Sequence, residues 1–214
     1  MTRPGGGAAH RGRRASAALA ALASAAVLLA GCAGQDTAAT GTPTGQNGAA
    51  SAPGPGGGQA VQALDRSAPE RIVIPSLGVS SGLETLVKGE DGAMTTPKDP
   101  GLAGWYQPGP SPGSQGPAVI AGHVTWDGAD AVFKKLRTLK AGDTVEVSRK
   151  DGRTATFTVD RVEEYPKKEF PTLEVYKNLD HAGLRLVTCG GEFDADRHYY
   201  TDNVVVYATM TKVA

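Results

Sequence analysis

The chain has 214 residues, of which 40% are hydrophobic, and lysine plus arginine equal aspartate plus glutamate at 22 each. This length suits one domain with a tail, and the apolar fraction is enough for one ordinary core, so two full domains are not expected. The arginines at positions 3, 11, 13 and 14 all precede the first acidic residue, Asp36, so the rest of the chain is mildly acidic. A mildly acidic body gives no indication of nucleic-acid binding.

An export signal is predicted over residues 1–34. It has an arginine-rich head, an Ala/Leu/Val run over residues 15–30, and then Gly31 and Cys32. The segment Leu29-Ala30-Gly31-Cys32 resembles the lipobox of bacterial lipoproteins, which implies a diacylglycerol on the sulfur of Cys32. The alternative is an uncleaved signal anchor, because residues 15–34 are apolar or small throughout and are just long enough to span a bilayer of about 30 Å. Both interpretations place the remaining chain at the outer face of the cytoplasmic membrane.

A flexible linker is predicted over residues 35–68. Glycine, proline, alanine, threonine, serine and glutamine dominate it, and large apolar residues are almost absent. Such a segment cannot bury enough surface to offset its chain entropy, so it stays disordered and spans roughly 30 Å on average. The globular domain is expected to occupy residues 69–214.

Short strands are predicted along most of this domain. Residues 144–149 and 154–162 alternate apolar and polar side chains around Asp151-Gly152, a dipeptide that accepts the positive φ angles of a tight hairpin turn. The other strand candidates are residues 71–74, 83–87, 118–121, 184–189 and 204–208.

One short helix is predicted over residues 131–139. Val132, Phe133, Leu136 and Leu139 have helical spacing there, and Asp130 is a candidate N-cap. A single helix among seven or eight short strands favours an all-β fold, a closed barrel, over an α/β fold.

Three side chains late in the chain form a candidate catalytic set. Cys189 ends a predicted strand and is followed by two glycines, which let a substrate backbone approach closely because they have no Cβ. His123 ends another predicted strand, and Arg197 lies eight residues past Cys189. If Cys32 is lipidated, Cys189 has no intramolecular partner, and a free thiol outside the cytoplasm suggests a use for it.

These three residue types suit acyl transfer. A thiol attacks an amide only as thiolate, so it needs a base or a positive charge nearby. Histidine can also protonate a departing amine, and arginine stays charged and can stabilise an oxyanion. No cofactor and no metal are needed for this chemistry.

The segment Leu186-Val187-Thr188-Cys189 resembles the sortase signature of Leu, any residue, Thr and Cys, with an earlier histidine and a later arginine. The stretch 117–123, the Phe133 segment and the stretch 203–208 are similar to class F sortases of high-GC Gram-positive bacteria. The resemblance spans about residues 69–210.

The resemblance implies a closed eight-stranded β-barrel with one or two short helices, in which His123, Cys189 and Arg197 meet at one end. It implies that Cys189 forms a thioester with the threonine of a Leu-Pro-X-Thr-Gly-like sorting signal on surface proteins. His123 would act as acid and then base, and Arg197 would stabilise the oxyanion. An amine, such as that of a peptidoglycan precursor, would release the product, and Thr188 would line the acyl pocket.

Several other residues near this set could also border a site, act as an acid or bind a metal. Trp126 and Asp127 could border a substrate groove or belong to an ordinary loop. His181 and His198 are expected at the surface, although His198 is a rival acid beside Arg197. The acidic residues 192, 194 and 196 lack the spacing of a calcium loop, so no metal is predicted.

Two alternative functions remain open. An L,D-transpeptidase also places a histidine ahead of its cysteine, but its signature has an arginine nearly adjacent to the thiol. A non-catalytic surface lipoprotein would use its barrel to bind a peptide or wall polymer and would bury an inert Cys189.

Overall fold

The computed structural model describes residues 61–214. The predictions for residues 1–34, including lipidation of Cys32, and for linker residues 35–60 lie outside the described residues. Within residues 61–214, no helix is both long and apolar enough to cross a membrane.

Eight strands close into one barrel, which confirms the predicted all-β fold. Their order around the barrel is β1-β2-β3-β4-β9-β10-β8-β7, and β7 pairs back to β1. The pairs β2/β3 and β4/β9 are parallel, and the others are antiparallel. The barrel strands are β1 (Pro69–Ile74), β2 (Val79–Leu86), β3 (Ala103–Tyr106), β4 (Gly116–Ala121), β7 (Thr144–Arg149), β8 (Thr154–Pro166), β9 (Ala182–Asp194) and β10 (Tyr199–Val213).

Smaller elements lie between these strands. The two-residue strands β5 (Thr125–Trp126) and β6 (Ala129–Asp130) form a separate hairpin after β4. Helix α1 (Thr172–Tyr176) lies between β8 and β9. Single 3₁₀ turns occupy Pro75–Leu77, Leu136–Thr138 and Lys167–Glu169.

The hairpin of β7 and β8 follows directly from its sequence pattern. Val145, Val147 and Phe157 are fully buried, whereas the positions that alternate with them along each strand are partly exposed. Gly152 takes a φ of 81° in the connecting turn, where a side chain would be strained. The predicted hairpin and its turn are therefore confirmed.

The strands β4 and β9 are buried on both faces. Inside the barrel, Leu184 and Leu186 belong to the main core. On the outer face, Val187 belongs to a second apolar cluster, which includes Val175 of α1. Because both faces are covered, the apolar run of β9 is nearly continuous rather than alternating.

The predicted helix over residues 131–139 is wrong except for the single 3₁₀ turn Leu136–Thr138. The amides of this segment bond three residues back rather than four, since Leu136 N–H donates to the carbonyl of Phe133 and Leu139 N–H to that of Leu136. Asp130 is not an N-cap but belongs to β6 and forms an ion pair with Lys134. Phe133 and Leu136 are nevertheless fully buried in the core, as their spacing required.

The predicted linker boundary at residue 68 also needs correction, because residues 61–68 pack on the barrel. The guanidinium of Arg149, 1% exposed, donates to the carbonyls of Pro112 and Asp65. Arg66 donates to two carbonyls of the β3–β4 connection and lies over the ring of Trp105. The ordered domain thus begins before β1, held by arginines whose partners are distant in sequence.

Candidate active site

Cys189 is presented by β9 at the edge of a groove. Its sulfur carries no disulfide, and the residue is partly exposed. The preceding Thr188 is 4% exposed and donates its hydroxyl to the carbonyl of Gly122 at 2.7 Å. Gly122 directly precedes His123, so this bond and the backbone bond from Gly122 N–H to Val187 (3.1 Å) lock the chain before the histidine to the chain before the cysteine.

A β-bulge follows the thiol immediately. Gly191 and Glu192 of β9 lie opposite the single residue Thr201 of β10, and Gly191 has a φ of 74°. The hydroxyl of Thr201 accepts from Glu192 N–H, and the carboxylate of Glu164 on β8 accepts from Gly191 N–H. A bulge of this kind bends its strand and changes the direction of nearby side chains, so it sets how Cys189 faces the groove.

His123 is oriented by a backbone carbonyl. Its Nε2 lies 2.9 Å from the oxygen of Pro97. A carbonyl can only accept, so Nε2 carries the hydrogen and Nδ1 is the nitrogen left to exchange a proton. The ring of Trp126 packs edge-on against the imidazole at 4.8 Å between centroids.

Glu84 of β2 holds the loop that supplies this carbonyl. Its carboxylate accepts from the backbone N–H groups of Lys98 (3.0 Å) and Asp99 (2.9 Å), directly after Pro97. These hydrogen bonds stabilise the charged form and lower the pKa of Glu84, with smaller contributions from the charges of Lys98 and His123. The sequence contains no signal for this role, because Glu84 and its partners are related only through the folded loop.

Two cavities meet at Cys189. The larger, about 660 Å³, is here called the histidine groove and is lined by His123, Trp126, Lys167, Cys189, His198 and Tyr200, among others. The smaller, about 220 Å³, is called the arginine cavity and is lined by Phe133, Lys134, Arg137, Thr188, Cys189 and Gly190, among others. The structure therefore brings together the predicted residues Cys189, His123, Thr188 and Trp126.

The structure does not bring Arg197 to either cavity. The prediction required it to meet Cys189 and His123 at one end of the barrel, but Arg197 lies in the turn between β9 and β10, which begins at Tyr199. Its side chain is 81% exposed, and its guanidinium approaches Asp194 at 3.8 Å. Arg137 is the arginine that lines a cavity together with Cys189, and no pattern in the sequence distinguishes it.

The remaining histidines differ in position. His181 is paired on the surface with Asp180 at 2.7 Å. His198 is exposed, as predicted, yet it lines the histidine groove and has a strained φ of 49°. Among residues 61–214, no three His, Cys, Asp or Glu side chains are grouped so that they could hold a metal ion.

The comparisons with known proteins agree with this architecture. The sequence profile of the sortase domain family matches residues 72–211. No curated protein matches the sequence.

Several solved structures are similar to the chain. Sortase C1 of Streptococcus agalactiae in complex with MTSET aligns at a TM-score of 0.50 and 15% identity, covering 66% of each chain. Sortase A of Corynebacterium diphtheriae aligns at 0.52 and 19%, covering 69% of this chain and 62% of its own. Sortase C-1 of Actinomyces oris aligns at 0.50 and 22%, covering 66% and 73%. The chain thus spans slightly less than two thirds of the first two, and at these identities the likeness concerns the fold.

Proposed function

The chain belongs to the sortase family, and from this premise we propose that it is a cysteine transpeptidase with Cys189 as nucleophile and His123 as general acid and base. One observation carries the proposal: Cys189 and His123 line the same groove, with Nε2 of the histidine occupied and Nδ1 left for proton transfer.

The proposed reaction has two steps. The thiolate of Cys189 attacks the carbonyl carbon of a backbone amide, the C–N bond breaks, and His123 gives a proton from Nδ1 to the departing amine. A thioester with Cys189 remains. An incoming amine then attacks the thioester, loses its proton to His123 and leaves with a new amide bond, which regenerates the thiolate.

We further propose the substrates that the class F-like motifs imply. These are a Leu-Pro-X-Thr-Gly-like sorting signal on surface proteins and an amine acceptor such as a peptidoglycan precursor. The stretches 117–123 and 203–208 support this class. The predicted export signal supports a place at the outer face of the membrane, through a lipid on Cys32 or a signal anchor.

Arg197 has no fixed role in this proposal. In the described arrangement its guanidinium lies near Asp194 and lines neither cavity at Cys189. To stabilise an oxyanion it would have to leave Asp194 and turn toward the groove.

Cleavage of a quenched fluorescent peptide carrying the sorting signal, by the full chain, tests the function. We expect time-dependent cleavage, aminolysis when a glycine-based amine is added, and loss of both in Cys189→Ala. Cleavage that persists in Cys189→Ala would exclude the mechanism. Intact mass after treatment with a methanethiosulfonate separates this enzyme from a non-catalytic barrel, since a buried inert Cys189 would stay unlabelled at neutral pH.

A further inference from the structure

The two cavities are lined by different residues and would hold different parts of the substrate. His123 must reach both the departing amine and the incoming amine, which occupy equivalent positions on the carbonyl carbon. His123 lines the histidine groove but not the arginine cavity. For the proposed reaction this assigns the amine side to the histidine groove and leaves the acyl side to the arginine cavity, which meets the groove at Cys189.

The arginine cavity has a one-sided charge. Lys134 and Arg137 line it, and the nearby carboxylate of Glu164 is not among its lining residues but is bound to the backbone N–H of Gly191. The side chain of Lys134 forms an ion pair with Asp130 at 3.1 Å. In residues 61–214, Arg137 forms no such pair with an acidic side chain, so its guanidinium is available to a ligand.

The surroundings of Arg137 favour an anionic ligand over water alone. The buried ring of Phe133 and the side chains of Phe193 and Val204 form apolar walls of the same cavity. Arg137 and Phe193 are exposed at the mouth of the cavity, so a bound anion keeps part of its hydration and gains a modest interaction with the guanidinium. A guanidinium matches a carboxylate in geometry, because two parallel N–H groups meet its two oxygens.

We propose that Arg137 is a specificity-determining residue that binds a carboxylate side chain of the acyl donor, at the variable position before the threonine. The inference rests on the proposed function, since it takes the acyl donor to be a sorting-signal peptide. Lys134 raises the local positive charge, and Arg137 makes the ion pair.

Binding to the full chain carrying Cys189→Ala tests the inference without catalysis. The probes are fluorescent peptides containing Leu-Pro-Glu-Thr-Gly or Leu-Pro-Gln-Thr-Gly, which differ by one charge and hardly in shape. We expect the glutamate peptide to bind about threefold to tenfold more tightly, with the preference reduced at high salt. Adding Arg137→Gln should abolish the preference, and adding Arg137→Glu should invert it.

Arg153→Gln is the matched control, because it removes an exposed arginine from the β7–β8 turn, outside both cavities. It should leave the preference unchanged. Equal binding of the two peptides, absence of binding by both, or a preference that survives Arg137→Gln would overturn the inference. Equal weakening of both peptides by Arg137→Gln would also overturn it, since the guanidinium would then act on the shared backbone.

The proposed function is tested separately by cleavage with Cys189 intact. Cleavage of both peptides at equal rates would leave the transpeptidase assignment standing while the carboxylate subsite falls. Tighter binding of the glutamate peptide without cleavage of either peptide would support the carboxylate subsite and contradict the transpeptidase assignment.

Discussion

The proton on His123 is placed by the carbonyl of Pro97, and that carbonyl is placed by Glu84. Neither group reacts, yet together they decide which imidazole nitrogen serves the reaction. The three groups that fix the imidazole, a carboxylate, a backbone carbonyl and the ring itself, thus come from β2, from the loop before β3, and from the segment just after β4.

Glu84→Gln should disturb this arrangement in a pH-dependent way. The pKa of Glu84 is lowered in the folded chain, so its carboxylate adds stability above the unfolded value of about 4.5 and loses that contribution as pH falls below it. We expect the variant to be about 1 kcal/mol less stable at pH 7, with the difference shrinking at pH 3 to 4. Thermal melts across pH measure this, and kcat should fall while KM holds.

An unchanged melting temperature at pH 7, or a difference that grows in acid, would contradict this role of Glu84. Glu90→Gln is a suitable control, because Glu90 is an exposed carboxylate in the loop after β2.

Arg197→Gln should leave most of the activity. The side chain is 81% exposed and lines neither cavity, so its removal costs no contact with the reacting atoms in the described arrangement. We expect kcat/KM for peptide cleavage to fall by less than about fivefold. A loss of several hundredfold would show that the guanidinium moves into the groove during the reaction.

At the residue scale, the two residues that meet in the histidine groove could be found from the sequence, but the groups that support them could not. A cysteine before two glycines and a histidine at a strand end are visible locally, so Cys189 and His123 could be predicted. Arg197 lies only two residues before β10, so whether it belongs to that strand or to the turn depends on where the turn ends. The sequence pattern does not fix that boundary. Glu84 and Arg137 acquire their positions only through tertiary contacts.

At the scale of elements, the bulge after Cys189 is the feature most sensitive to substitution. A Cβ on Gly191 would collide with the hydroxyl of Thr201 and would sit at a φ of 74°, where an L side chain is strained. Gly191→Ala should therefore cost about 1 to 3 kcal/mol in stability and lower kcat by more than tenfold, because the thiol is displaced. Chemical denaturation and single-turnover cleavage measure the two effects.

Gly152→Ala separates the effect of backbone strain from the effect of displacing the thiol. Gly152 has a similar φ of 81°, but a Cβ there meets nothing within 4 Å. It should lose about 1 kcal/mol of stability and keep its activity. Equal activity of the two alanine variants would mean that the bulge does not direct the thiol.

Alternating patterns allowed β7 and β8 to be predicted, because one face of each meets the core. The short β3 was missed, since Gly104 and Trp105 give no periodic pattern over four residues. Helix α1 was missed as well, because five residues are too few for helical spacing to appear. The segment over residues 131–139 carried the right buried residues in the wrong element, because its amides bond three residues back, as in turns, rather than four.

At the scale of the whole molecule, Arg149 joins residues 61–68 to the barrel. It is fully buried and satisfies the carbonyls of Pro112 and Asp65 while pairing with Asp151 at 2.8 Å. Arg149→Met should cost about 2 to 5 kcal/mol, since it leaves the buried carbonyl of Pro112, the partly buried carbonyl of Asp65 and the carboxylate of Asp151 without their donor. Urea denaturation measures the loss, and the exposed Arg153→Gln should stay within about 0.5 kcal/mol of the parent.

A small loss in Arg149→Met would mean that residues 61–68 contribute little to the stability of the barrel. The closed barrel itself could be predicted from the count of short strands. The order of its strands could not, because the parallel β2/β3 and β4/β9 pairs depend on connections that pattern alone does not specify.

Both ends of the described chain leave the barrel far from Cys189. Ala214 exchanges backbone hydrogen bonds with Thr154, and the carbonyl of Asp65 accepts from Arg149. Arg149 and Thr154 flank the β7–β8 turn, so both ends of the described chain lie beside that turn. Cys189 pairs with Asn203, which lies ten residues along β10 from Val213, or about 30 Å in an extended strand. A carrier protein joined after Ala214, or a solid support bound there, would sit behind the barrel and leave the approach of large macromolecular substrates unobstructed.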